Sequence, residues 1–355
     1  MGPAIATEII LKSELRIRFE LFHVNTTAND TIKGFGKWNF TKIFKNITIY
    51  FNMLRVTLKE RPDLILIPIS QTTTGFIKDS FFILIAKVCR RKVILQLRGS
   101  NFQNWIAGAS FYVKKYVRLV LRSTQGIIVL GNNLKYLFNE YYSKEKIFVV
   151  PNGANYNFPG KEKDSKEIKI LYLSNLLDSK GIEDVFKSIE ILNRNLSNQE
   201  IPKFSLDLIG EWLKEDTKKT CLELKEKYKL PVRIHSSEAS KDKLNYLTNA
   251  DIFLFPPREP EGHPWCIVEA MAAGLPIIST NQGAISESVI DGVNGFVVEP
   301  KKPEMIAEKL LKLMQEKQVR EKMGKASRDL YLQNFTEEIM VEKLSEVFKT
   351  VIENK

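Results

Sequence analysis

Glu261 and Glu269 stand eight positions apart in Glu261-Gly-His-Pro-Trp-Cys-Ile-Val-Glu269, with Gly262 and Pro264 between them. The segment follows the apolar run IFLF (252–255) and the turn Pro256-Pro257-Arg258-Glu259-Pro260, and it runs into AMAAGLP. Gly274 is suited to the position just past a helix end, with Pro276 beyond it. This spacing predicts a helix from Trp265 toward Gly274, with Glu261 in the loop before it and Glu269 one turn inside. A carboxylate accepts hydrogen bonds on both oxygens and can grip vicinal hydroxyls of a sugar or ribose. Gly262 lets backbone approach a ligand, and N–H groups at a helix start favour an anion such as phosphate. The pattern suits a molecule that is hydroxyl-rich at both ends and anionic in the middle. A solvated loop Glu followed by a helix-surface Glu would give the same spacing, so the context has to decide.

That context begins with the bulk properties. A chain of 355 residues, 44% hydrophobic and 27% charged with no low-complexity tract, is expected to fold as two globular domains. Cys89, Cys221 and Cys266 are far apart and form no CxxC, which argues against a disulfide framework and for a reducing compartment. His23, His235 and His263 have no paired spacing, so neither a metal site nor a cofactor is expected. The longest apolar run, FFILIA (81–86), is too short to span a bilayer. Charge is uneven: residues 1–155 carry 23 Lys and Arg against 9 Asp and Glu, a net +14, and the remainder carries 30 against 33, a net −3. The first half is expected to meet a polyanion or an anionic membrane surface while the second performs a separate task.

Short β-branched runs alternate with helical stretches from RFELFHV (18–24) through LILIPI (64–69), VILQL (93–97), GIIVL (126–130) and IFVV (147–150). The polar segment from Asn152 to Glu167 then reads as a linker. The rhythm resumes with IKILYL (168–173), FSLDLI (204–209), VRIH (232–235), IFLF, PIIS (276–279) and FVV (296–298), and it becomes helical after Pro303. The expectation is α/β: two doubly wound Rossmann-like domains, with chemistry in the loops after the strands. No strand precedes the helix-like opening residues, so the first strand of the N-terminal domain is expected to be missing from this sequence.

EGHPWCIVEAMAAGLPIIST followed by NQGAISESVIDGVNGFVVEP closely resembles the donor-site signature of the family 4 retaining glycosyltransferases, the group 1 glycosyl transferases of the GT-B fold. The resemblance covers nearly the whole chain. It implies an acceptor domain over 1–155, a nucleotide-sugar domain over 156–335 and a last helix, 336–355, returning to the first domain, with the two domains facing a cleft. It further implies that Glu261 contacts the donor sugar, that Glu269 contacts the ribose, and that the backbone of Gly262, His263, Pro264 and Trp265 faces sugar and diphosphate. LYLSNLLDSKGIEDV (171–185) looks like the other phosphate-binding segment, with Ser174 and Asn175 on the donor side and Lys180 matching the Lys that neutralises the diphosphate. The Arg usual five positions before that Lys is Asn175 here, and Arg258 or Arg98 are candidates to compensate. LQLRGSNF (95–102) resembles the acceptor-side loop, which often carries His before the Gly; Arg98 replaces it, so an anion contact is expected there, with Gly99 and Ser100. Glu261 and Lys180 are the residues expected to carry catalysis.

Two stretches carry the basic bias. In WIAGASFYVKKYVRLVLR (105–122), Lys114, Lys115, Arg118 and Arg122 share one helical face beside Phe111, Tyr112 and Tyr116, and KWNFTKIFKNITIYFNMLRVTLKER (37–61) is similarly basic and aromatic. Such helices can lie on an anionic bilayer, or pack on a sheet with a solvated charged face. The resemblance implies metal-independent, retaining transfer of a sugar from a nucleotide-diphosphate sugar to a glycan or lipid-linked acceptor in polysaccharide or lipopolysaccharide synthesis. The expected location is cytoplasmic, with peripheral contact at the inner face of the membrane. A noncatalytic sugar-nucleotide binding protein and a sugar-nucleotide epimerase on the same fold are the alternatives. A nucleic-acid-binding protein would rest on charge alone, without a recognised motif.

Overall fold

The computed structural model describes residues 2–26, 40–159, 167–195 and 202–353. Linker positions 160–166 and the first residues of the 37–61 stretch lie outside the described residues. The chain divides into two compact units, Met1–Leu130 with Leu134–Val150 and Val341–Lys355, and Gly131–Asn133 with Pro151–Met340.

The first unit runs α1 (Gly2–Lys12), α2 (Leu15–Arg18), α3 (Phe40–Glu60), β1 (Leu64–Pro68), α4 (Thr73–Val88), β2 (Lys92–Gln96), α5 (Phe102–Gly108), α6 (Phe111–Arg122), β3 (Gly126–Val129) and β4 (Ile147–Val149). Its four strands are parallel in the order β1-β2-β3-β4, with Leu66 opposite Ile94, Leu95 opposite Ile127 and Ile128 opposite Phe148. From Val93 to Leu97 and from Gly126 to Leu130 every residue is buried, and apart from Gln96 both runs are apolar, as in a parallel sheet covered on both faces.

RFELFHV is not a strand. Its first residue ends α2, and residues 20–26 join no ladder among the described residues. Both alternating faces of the segment carry apolar side chains. Phe19 finds its partner on the C-terminal helix, edge-on to Phe348 with ring centroids 5.6 Å apart, and Arg18 pairs with Glu342 at 2.5 Å. Packing on a helix has replaced strand pairing. The stretch 105–122 is likewise two helices rather than one, because Ser110 leaves the helical conformation and caps α6, its Oγ accepting from the Val113 N–H.

The second unit runs β5 (Ile168–Leu173), α7 (Ile182–Asn195), β6 (Phe204–Ile209), α8 (Glu215–Tyr228), β7 (Val232–His235), α9 (Lys243–Asn249), β8 (Ile252–Phe255), α10 (Trp265–Ala272), β9 (Ile277–Thr280), α11 (Ile285–Ser288), β10 (Gly295–Val298), α12 (Pro303–Gln315), α13 (Lys317–Asn334) and α14 (Glu337–Glu353), the last continuing into the first unit. The parallel sheet has the order β10-β9-β8-β5-β6-β7. The chain winds outward from β5 to β7, then returns to place β8 on the other side of β5. The two connections leave the sheet in opposite directions there, which opens a crevice above the carboxyl ends of β5 and β8. Tyr172, Phe186, Phe253 and Phe255 are fully buried beneath it.

Candidate active site

The loops after β5 and β8 form one backbone scaffold. After β5 the chain passes Ser174 and Asn175 and makes a short 3₁₀ turn, Asp178–Lys180, closed by Gly181 in the left-handed region at φ +76°. A Cβ on Gly181 would overlap the Pro256 carbonyl oxygen, so glycine allows this turn to lie directly against the β8 loop. In return Ser179 O accepts from the N–H of Arg258 at 2.9 Å and of Glu259 at 3.3 Å. From the neighbouring strand, Thr280 Oγ1 donates to Pro257 O at 2.6 Å. Beyond Glu261, Gly262 O accepts from the Ala284 N–H at 3.0 Å.

α10 starts at Trp265 as the sequence predicts, and it ends in a paired set of backbone bonds, Gly274 N–H to Met271 O and Leu275 N–H to Ala270 O, both 3.0 Å, with Gly274 at φ +73°. This cap fixes the helix length, and so the depth of Glu269. Glu269 is buried, and Lys243 Nζ at the start of α9 donates to its Oε1 at 2.5 Å. Glu261 is paired with Lys180, whose ammonium donates to Oε1. Each carboxylate therefore has its own cation. Burial pushes both carboxyls above the ordinary range, and the paired ammonium of each opposes that shift. Cys266 lies within reach of both fields: burial, then Glu269 and Glu261, push its thiol up.

Arg258 lies deep in a carboxylate cage. Its Nε and Nη2 donate to the two oxygens of Asp184, both at 2.6 Å, and Nη1 reaches Asp178 and, at 3.4 Å, Glu183. Hydrogen bonds to Asp184 lead the interactions that strengthen its hold on its proton. The guanidinium joins the β8 loop to the start of α7. Asn175 is exposed, its carbonyl near Tyr172 Oη at 3.5 Å.

His263 is buried. Its Nδ1 accepts from the Asn152 N–H at 3.1 Å, its Nε2 is 2.7 Å from Ser288 Oγ, and its carbonyl accepts from Asn152 Nδ2 at 2.6 Å. The ring also packs on Phe335, 4.9 Å between centroids. Its side chain anchors the loop, which leaves its backbone to present the first turn of α10. Asn152, at the start of the segment that reads as a linker, is thus a specific fastener. Sequence reasoning also missed Lys243 and Asp184, since no local pattern marks a cation 26 residues before its carboxylate or an acid 74 residues before its arginine. Arg98, Gly99 and Ser100 belong to the first unit, directly after β2.

A sequence model of the glycosyl transferases group 1 family matches residues 155–330, a span that contains Lys180, Lys243, Arg258, Glu261 and Glu269. The chain is a glycosyltransferase with a group 1 glycosyl transferase domain. This glycosyltransferase is 24% identical over 331 residues to the capsular polysaccharide biosynthesis glycosyltransferase CapM of Staphylococcus aureus, covering 87% of this chain and 82% of that one. Its fold matches a glycosyltransferase from Rickettsia africae with a TM-score of 0.74 at 20% identity, over 96% and 87% of the two chains. It also matches Anabaena HepE, solved with UDP and glucose, with a TM-score of 0.70 at 16% identity, over 85% and 82%. Two parallel-sheet Rossmann-like units followed by helices make this glycosyltransferase a GT-B protein.

Proposed function

We propose that this glycosyltransferase moves a sugar, with retention of anomeric configuration and without a metal, from a nucleotide-diphosphate sugar to a hydroxyl of a glycan or lipid-linked acceptor in cell-surface polysaccharide assembly. The observation that carries the reading is the pair of carboxylates, the half-buried Glu261 and the buried Glu269, each with its own ammonium, on either side of the α10 start at the β5/β8 crevice. Glu269 accepts the ribose hydroxyls and Glu261 those of the sugar. The diphosphate lies between them, against the positive end of α10 and Lys180. As the bond from the anomeric carbon to the β-phosphate oxygen breaks, the acceptor oxygen bonds to the same face of that carbon. The acceptor proton passes to the departing phosphate, and Lys180 stabilises the charge that develops there. Lys180, already paired with Glu261, gains the diphosphate as a second anionic partner.

The acceptor is expected at an anionic membrane surface, consistent with the expected cytoplasmic location. No described helix is long and apolar enough to cross a membrane. In the first unit α3, α4 and α6 lie side by side, joined by Tyr50 against Phe82 at 4.9 Å and Phe76 against Tyr116 at 6.5 Å. Phe51 and Leu58 of α3, Phe81, Leu84 and Val88 of α4, and Phe111, Tyr112 and Leu119 of α6 are exposed. Arg55, Lys59, Lys87, Lys114, Lys115, Arg118 and Arg122 are exposed on the same three helices, while the acids of these helices are the buried Asp79 and the half-buried Glu60. Helices that expose both apolar side chains and cations, with few acids, fit an anionic bilayer better than water alone.

The test is calorimetric titration of UDP, GDP, ADP and CMP into the chain and into its Glu269→Ala variant. UDP, the nucleotide bound by HepE, is the first choice. Tight binding of one nucleotide that the variant loses supports the reading; binding of none by the wild-type chain removes it.

A further inference from the structure

Six buried side-chain polar atoms have no hydrogen-bond partner among the described residues, and four of them, Gln71 Oε1, Gln96 Oε1, Arg98 Nε and Ser100 Oγ, lie at the carboxyl ends of the adjacent strands β1 and β2. The two segments touch. Pro68 is opposite Gln96, the Ile69 N–H donates to Gln96 O at 2.9 Å, and a Cβ on Gly99 would overlap the Gln71 amide. The ladder continues through Leu97, whose N–H donates to Ile128 O at 2.9 Å, so strand alternation puts Gln96 and Arg98 on one side. Gln96 and Ser100 are at least nine-tenths buried.

Buried polar atoms are normally satisfied, and orphans gathered at one place need an explanation. Here the requirements are mixed. Arg98 offers a buried positive N–H and needs an acceptor, whereas the two Gln oxygens need donors. Among the described residues no carboxylate pairs with Arg98: the buried Asp79 accepts instead from the Ser70 N–H at 2.7 Å, and Lys78 is 3.9 Å from its other oxygen. Desolvation brings the Arg98 pKa down to about 10, so the guanidinium stays charged at neutral pH. A neutral sugar could donate hydroxyls to the Gln oxygens and would leave the buried charge unanswered.

We propose that Arg98, Gln71, Gln96 and Ser100 form an acceptor subsite for an oxyanion carried on a hydroxyl-bearing group. A carboxylate or phosphate oxygen accepts from Arg98, and adjacent hydroxyls donate to Gln71 and Gln96. This inference rests on the glycosyl-transfer reading, in which the second unit takes the nucleotide, and it narrows the acceptor to an acidic one.

The test is ligand-observed NMR on the full chain saturated with UDP, with methyl β-D-glucuronide, its neutral counterpart methyl β-D-glucoside, and glycerol 1-phosphate as probes. At least one anion is expected to bind about tenfold or more tighter than the glucoside, the range of a charge-assisted contact. Arg98→Gln is expected to erase that preference and Arg98→Lys to keep part of it. Preference for the glucuronide assigns an acidic sugar and preference for the phosphate assigns a polyol or lipid phosphate; either supports the subsite. A wild-type chain that binds UDP but favours neither anion overturns it, as does an Arg98→Gln chain, still binding UDP, that keeps the preference. Failure of the wild type to bind UDP overturns the donor reading instead.

Discussion

Lys243 Nζ lies 2.5 Å from Oε1 of Glu269, a carboxylate only 4% exposed. Burying such a pair gains little net stability, since desolvation offsets most of the attraction, and Lys243 itself keeps contact with water. Glu269→Gln should therefore leave the melting temperature of the ligand-free chain unchanged or raise it by about 2–4 °C, while weakening nucleotide binding about tenfold or more. Melting curves and calorimetry on one preparation check both halves.

Removing the cation has the opposite sign. With a folded pKa above its unfolded value, Glu269 favours folding at low pH, and that contribution is lost as the pH rises through the folded pKa. Lys243→Ala enlarges the shift. Its destabilisation should be small near about pH 5 and should grow toward about pH 8. Urea unfolding at the two pH values measures it, and a constant difference would count against an unpaired carboxylate as the cause.

Arg258→Ala is expected to cost about 3–5 kcal/mol, because it strands the buried Asp184 beside Asp178 and Glu183. Lysine cannot make the two-pronged contact to Asp184, so Arg258→Lys should recover only part of the loss. Chemical unfolding checks the series. Turnover unchanged in a folded Arg258→Ala chain would separate this residue from the diphosphate chemistry.

How far was this legible beforehand? Ten of the eleven predicted strands, the α10 start and its Gly274 cap are local patterns that a linear reading can find. RFELFHV failed because its partner, Phe348, is 329 positions away, and residue type alone cannot say whether an apolar segment pairs with a strand or a helix. Glu261 stands out by its spacing from Glu269 and Lys180 only through resemblance, whereas their ion pair is a product of the β5 and β8 loops meeting. Asn152 reads as the start of a polar linker, because its partner His263 lies 111 positions later.

His263→Ala should remove the acceptor of the buried Asn152 N–H and destabilise the second unit by about 1–3 kcal/mol. Nucleotide affinity of the folded variant should change by less than about threefold, because the side chain fastens a loop rather than a ligand. A melting curve paired with a UDP titration separates the two roles.

Replacing Phe111 and Leu119 together with Ser should reduce partitioning onto phosphatidylglycerol vesicles about tenfold or more. Lys114→Glu with Lys115→Glu should weaken it further and flatten its salt dependence. Sedimentation with vesicles at low and high salt reads both. Absence of wild-type binding at low salt would remove the membrane from the proposed function.

Gly181 abuts the Pro256 carbonyl and Gly283 abuts the Glu261 carbonyl, both glycines at positive φ. On the proposed donor reading, this divides the crevice after β5 and β8 into two kinds of position for anyone wishing to retune donor choice. A library spread over Ser174, Asn175 and Trp265 samples side chains on a fixed frame. One that includes Gly181 or Gly283 shifts the frame itself, and most of its members would lose the old specificity without acquiring a new one.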